Sequence, residues 1–241
     1  FVLEACRYLQ DHLDTEGIFR KPGSLSRMRE LKARLERGEA CLAGATVNDV
    51  AGLLKQHLRE AAEPLVPREL HSSLRRAQQL ATAEERTRAT LLLCLLMPPA
   101  TAHTLRFLMT FLHSVAERAE DNKMTATNLA VVFTPTLMHG GRGASLTPGT
   151  QQLLQLQVLT VETLIANAPR IDFYVAKIVT KIFVRLACEK GSEDQSPSTG
   201  GRGDQRSLKL NRRRSFNDVV YGALNRLKIS KTPVGTPKGE G

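Results

Sequence analysis

Residues 46–59 read Thr46-Val47-Asn48-Asp49-Val50-Ala51-Gly52-Leu53-Leu54-Lys55-Gln56-His57-Leu58-Arg59. Val47, Val50, Leu54 and Leu58 recur at the spacing of one helix face, not at the alternation of a half-buried strand. Thr46-x-x-Asp49 has the form of a capping box, so a helix is expected to open at Thr46 and to close before Pro64 and Pro67.

The same period extends in both directions. Upstream, Val2, Leu3, Cys6, Leu9 and Leu13 mark a first helix ending near Asp14, a loop covers residues 15–23, and Leu25, Met28, Leu31 and Leu35 mark a helix that Gly38 stops. Downstream, helices are expected over residues 70–79, 84–97, 104–119 and 151–166. A short helix over 125–132 is ended by Pro135, a flexible loop spans 140–148, and 173–186 adds a last helix. No alternating pattern competes with these. The fold class is all-α, a helical bundle.

Composition agrees. Of the 241 residues 41% are hydrophobic but only 5% aromatic, with no tryptophan, so Leu, Val and Ala must fill the core. The net charge is +10, and residues 191–241 hold ten Lys/Arg against five Asp/Glu. A basic balance suits nucleic acid, acidic lipid or an acidic protein, and does not choose among them. Cys6, Cys41, Cys94 and Cys188 stand far apart, which argues against a zinc site or disulfide framework and for a reducing compartment. The longest apolar run, residues 91–97, stops at Pro98-Pro99 and is too short to span a bilayer. The helical pattern is already running at Phe1, which points to a start further upstream.

Three domains of composition follow: a helical domain over 1–168, a helical extension over 169–190, and a basic, largely disordered tail over 191–241. The tail holds Arg212-Arg213-Arg214-Ser215 and a short amphipathic segment, Phe216, Val219, Val220, Leu224 and Leu227. Ser215 after three arginines is a candidate regulatory phosphosite, and the patch suits a kinase or a nuclear-import factor. Aromatics are too sparse there for nucleic-acid binding to be expected.

Three segments exceed ordinary packing. In Glu16-Gly17-Ile18-Phe19-Arg20-Lys21-Pro22-Gly23, two large apolar residues can anchor a loop and leave Arg20 facing outward on a stiff support. Taken alone, a loop arginine is usually just solvated. Lys55 and Arg59 share a helix face beside the apolar stripe. Either Glu63 pairs with Arg59, or Arg59 braces the loop while Lys55 faces a partner. In Asn122-Lys123-Met124-Thr125 and Asn128-Leu129-Ala130-Val131-Val132-Phe133, asparagine interrupts apolar helix. Such an amide is either a tie between two helices or a binding group.

Gly17-Ile18-Phe19-Arg20, residues 54–65 (Leu-Lys-x-x-Leu-Arg-Glu-x-x-Glu-Pro-Leu) and residues 122–135 (Asn-Lys-Met-x-x-x-Asn-Leu-Ala-x-x-Phe-x-Pro) together resemble the Rho GTPase-activating (RhoGAP) family, in order, from Phe1 to about Ala168. The tail resembles the segment after the domain in one subfamily. The resemblance implies a GTPase activator for a Rho-family small GTPase of the RhoA, Rac1 or Cdc42 type, acting inside the cell, in cytoplasm, nucleus or both. Arg20 matches the catalytic arginine finger, supplied in trans. Lys55 and Arg59 match cations that contact the GTPase and steady the finger loop, and Asn128 and Pro135 match its switch-binding surface. The chain then needs no cofactor of its own, because GTP and Mg belong to the partner, and no G-x-x-x-x-G-K-[ST] loop is present. Ala61-Ala62 depart from the family's Leu-Pro, and the family's segment before the first helix is absent; both leave room for a catalytically weak GTPase-binding scaffold.

Overall fold

The computed structural model describes residues 1–39, 42, 44–139 and 148–171, and among them every regular element is helical. The helices are α1 (Val2–Gln10), α2 (Leu25–Glu36), α3 (Val47–Glu60), α4 (Arg68–Ala77), α5 (Ala83–Cys94), α6 (Pro99–Glu117), α7 (Ala119–Asn122), α8 (Ala126–Leu137) and α9 (Pro148–Ala166). The expected helix at 173–186 and the tail with Ser215 lie outside the described residues.

α3 and α8 lie at the centre of what positions the site. α8 packs on α3, α6 and α9, while α3 also receives α1 and α2. Val50, Leu54 and Leu58 of α3 are buried, as their spacing predicts, and so are Leu129, Ala130, Phe133 and Leu137 of α8. Each such large side chain removed from water contributes roughly 1.5–3 kcal/mol, which holds the helices together more firmly than their propensities do.

Four expectations need correction. The Thr46 cap is real, since its Oγ1 accepts from the Asp49 amide at 3.3 Å, but the Asp49 carboxylate does not return to the Thr46 amide. The reciprocal box stands instead at Thr82 and Glu85, where α5 opens. Pro98-Pro99 starts a helix rather than merely ending a run: Pro98 is extended and Pro99 sits in the first turn, where its missing N–H leaves nothing unpaired. Pro135 lies inside α8, which continues to Leu137. A proline removes one helical hydrogen bond, here to the carbonyl of Val131, and that residue is 57% exposed, so water can take the donor's place. Leu25, assigned to the apolar face of α2, is 71% exposed.

Candidate functional site

The loop between α1 and α2 turns outward at Arg20. Gly17 (φ +74°) and Phe19 (φ +67°) both occupy the left-handed region. For a bulky residue this is strained by about 1–3 kcal/mol and persists only where the surroundings enforce it. Here they do. Phe19 is fully buried, with its ring edge-on to Phe133 at 4.9 Å and to Phe111 at 6.0 Å, and Ile18 beside it is equally buried. Arg20 is exposed, and its amide closes a tight turn onto the Gly17 carbonyl at 2.8 Å. An outward cation thus stands one bond away from a core aromatic.

Two groups fix the loop from outside. The Gly17 amide donates to the backbone carbonyl of Asn122 at 2.8 Å. The Lys55 ammonium donates to the backbone carbonyl of Phe19. Lys55 is half-buried, and burial followed by repulsion from Arg59 lowers its pKa. Arg59, one turn on, is exposed. The side chain that reaches the loop is therefore Lys55, not Arg59, the reverse of the expected division. The alternative partner, Glu63, faces Arg68 at 3.8 Å. α3 ends at Glu60, so the Ala61-Ala62 departure lies past both cations.

Gly17 has a specific reason to be glycine. A Cβ there would lie 2.8 Å from Lys21 Cγ, on a backbone that L-residues resist. Gly17→Ala should lower stability by about 1–2 kcal/mol in urea titration, and an unchanged midpoint would contradict the strained geometry.

The two asparagines separate cleanly. Asn122 is buried, donates from Nδ2 to the Leu13 and Val115 carbonyls at 2.8 Å each, and accepts the Met124 amide on Oδ1 at 2.8 Å. It is the tie between helices. Asn128 is exposed on α8, with Nδ2 donating to the Lys123 carbonyl at 3.2 Å. Val131 and Pro135, both exposed, follow it by three and seven residues and so share its face. Sequence reading passed over Val131 as part of an apolar helix; its spacing from Asn128 was the available signal.

Among the described residues no cluster of three or more His, Cys, Asp or Glu suits a metal ion, and no helix is long and apolar enough to cross a membrane. A surface hollow of about 500 Å³ between α1 and α6 is lined by Cys6, Arg7, Phe107 and Phe111 among others; it reaches the ring packed on Phe19 but not Arg20, Lys55, Arg59 or Asn128.

The RhoGAP domain family matches residues 1–141. Human Rho GTPase-activating protein 11A, of the subfamily whose tail this one resembles, is 42% identical over the whole chain, which covers 24% of that protein. Mouse Rho GTPase-activating protein 6 is 40% identical over 56% of the chain and 15% of its own length. The chain thus spans a quarter or less of these relatives. Among solved structures, the BH domain of GRAF, the GTPase regulator associated with focal adhesion kinase, aligns over 70% of the chain and 92% of its own at 26% identity, with a TM-score of 0.62. Human Rho GTPase activating protein 15 aligns over 71% and 82% with a TM-score of 0.66, and at 24% identity shows the fold alone.

Proposed function

The chain belongs to the RhoGAP domain family, and from that premise we propose that it accelerates GTP hydrolysis by a Rho-family GTPase by inserting Arg20 into the partner's nucleotide site. The observation that carries this reading is the support under Arg20: a buried Phe19, a strained turn, and a lysine from α3 on the carbonyl that immediately precedes it. Preorganised charge needs such a base, because an arginine that must be ordered at the moment of reaction loses part of its effect.

Hydrolysis builds negative charge on the γ-phosphoryl and leaving oxygens. A guanidinium is always charged and presents several donors in a planar fork, which suits it to those oxygens. The magnesium and nucleotide are the GTPase's own. Asn128, Val131 and Pro135 offer one continuous stripe for docking, and Arg59 adds an exposed cation next to Lys55.

The test is single-turnover GTP hydrolysis by RhoA, Rac1 and Cdc42, with and without the full chain. Acceleration of at least one supports the reading; binding of the GTP-loaded form with no acceleration would leave a scaffold in its place. The two α3 cations should then part company. Lys55→Met should reduce the maximal rate roughly ten-fold or more by loosening the loop. Arg59→Ala should chiefly weaken the complex, with the maximal rate recovered at high concentration. The opposite pattern would return the loop contact to Arg59.

A further inference from the structure

Arg20 is followed by a second attachment of the loop that none of the sequence motifs contains. Four residues on, the Ser24 amide donates to Asp49 Oδ1 at 2.7 Å. Arg27, one turn into α2, donates to Asp49 Oδ2 through Nε and to Oδ1 through Nη2 at 3.3 Å. The Asp49 side chain is 1% exposed although Arg27 is 57% exposed. Ser24 is the N-cap of α2, yet its own hydroxyl makes no capping bond and instead meets Ser26 Oγ at 3.0 Å. The carboxylate of α3 thus occupies the N-terminus of α2, where backbone donors and the helix dipole both favour a negative charge.

Gly23 explains why the fit is close. A Cβ at Gly23 would lie 2.7 Å from Asp49 Oδ1 and 2.8 Å from the Asn48 carbonyl oxygen. The segment leaving Arg20 therefore lies directly on the first turn of α3, and only glycine fits there. Asp49 and Lys55 belong to the same helix, so α3 grips the loop both immediately before Arg20 and just after it. Burial of a carboxylate raises its pKa, but the bonds from Arg27, Thr46 and Ser24 outweigh this and hold Asp49 below its ordinary range. It is ionised at neutral pH.

We propose that Asp49 is a positioning residue for Arg20: its carboxylate, through Ser24, Gly23 and Arg27, fixes the trailing end of the loop so that the guanidinium is presented at one place and angle. The proposal rests on the reading of Arg20 as the group delivered to the nucleotide. Asp49 touches neither partner nor phosphate in this scheme; it acts only through the loop. Its removal is felt in the maximal rate, because a finger that swings by an ångström still permits docking but no longer meets the transition state.

The experiment is a double-mutant cycle on the full chain, read by saturating single-turnover hydrolysis and by affinity for the GTPase loaded with a GTP mimic. Asp49→Asn keeps the size and an acceptor but removes the charge. It should lower the maximal rate roughly ten- to a hundred-fold, with affinity within about two-fold of the unaltered chain. In an Arg20→Ala background the same substitution should change the residual rate by less than about two-fold, since there is no finger left to aim. Circular dichroism and thermal melting establish that the helices persist. Arg27→Ala, at an exposed side chain, provides a milder second variant with the same expected pattern should Asp49→Asn fail to fold. An equal loss in both backgrounds would reduce Asp49 to a fold-maintaining residue and overturn the proposal. So would an undiminished rate from Asp49→Asn beside an inactive Arg20→Ala. Normal hydrolysis by Arg20→Ala itself would remove the finger reading and this one together, and is visible in the single mutant.

Discussion

Replacing Arg20 by alanine is expected to lower the maximal rate of stimulated GTP hydrolysis by roughly 10³–10⁵-fold, on the order of 4–7 kcal/mol of barrier, while leaving affinity for the GTP-bound partner nearly intact. The split follows from where the charge is needed. An interaction made only in the transition state disappears from the rate and not from ground-state binding. Arg20→Lys should restore little, because one ammonium cannot reproduce a planar fork of donors. Lys21 is the internal control. Its ammonium is folded back onto Glu16 at 3.2 Å and its stem covers Gly17, so it does not project with its neighbour. Lys21→Ala should therefore change the maximal rate by less than about three-fold, an exposed ion pair contributing little. Saturating single-turnover hydrolysis, alongside a binding assay with a GTP-mimic-loaded Rho protein, decides the matter. Near-normal hydrolysis by Arg20→Ala would remove the arginine from the mechanism.

How far the sequence carried this picture depends on which physical signal each residue left. Helical periodicity located α3 and α6 because Val50, Leu54 and Leu58 in one, and Leu105, Leu108, Leu112 and Val115 in the other, recur every three or four residues and are buried. Ile18 and Phe19 were legible as anchors because two large apolar residues in a polar loop have few other uses. Prolines misled at both ends of their range. A rule that proline breaks helices ignores that Pro99 opens α6 without a missing bond, and that Pro135 removes one bond beside an exposed residue. Lys55 and Arg59 were placed on one face correctly, but periodicity has no term for which of two neighbouring cations is long enough, and close enough, to reach a carbonyl 36 positions away. Asp49 was legible only as half of a capping box; its actual partners, Ser24 and Arg27, come from another helix, and no local pattern encodes such contacts.

The paired asparagines supply the second large effect, one on stability. Asn122→Ala would leave the buried Met124 amide without its partner and take one donor each from the Leu13 carbonyl, which is part-buried, and the Val115 carbonyl, which still accepts from the Arg118 amide. An orphaned buried amide costs about 1–3 kcal/mol, and the two other lost bonds bring the sum to roughly 3 kcal/mol. For a domain of this size that is a fall in melting temperature on the order of 10 °C. The loss should reach the finger loop as well, since the Gly17 amide hangs on the Asn122 carbonyl. Asn128→Ala should behave oppositely. Its exposed amide makes one long bond to Lys123, so stability should change by less than about 1 kcal/mol while affinity for the GTPase falls roughly ten-fold. Thermal melting and a titration against the GTP-mimic complex read both at once. If Asn128→Ala melted early and bound normally, or Asn122→Ala melted normally and bound weakly, the roles assigned to the two amides would have to be exchanged.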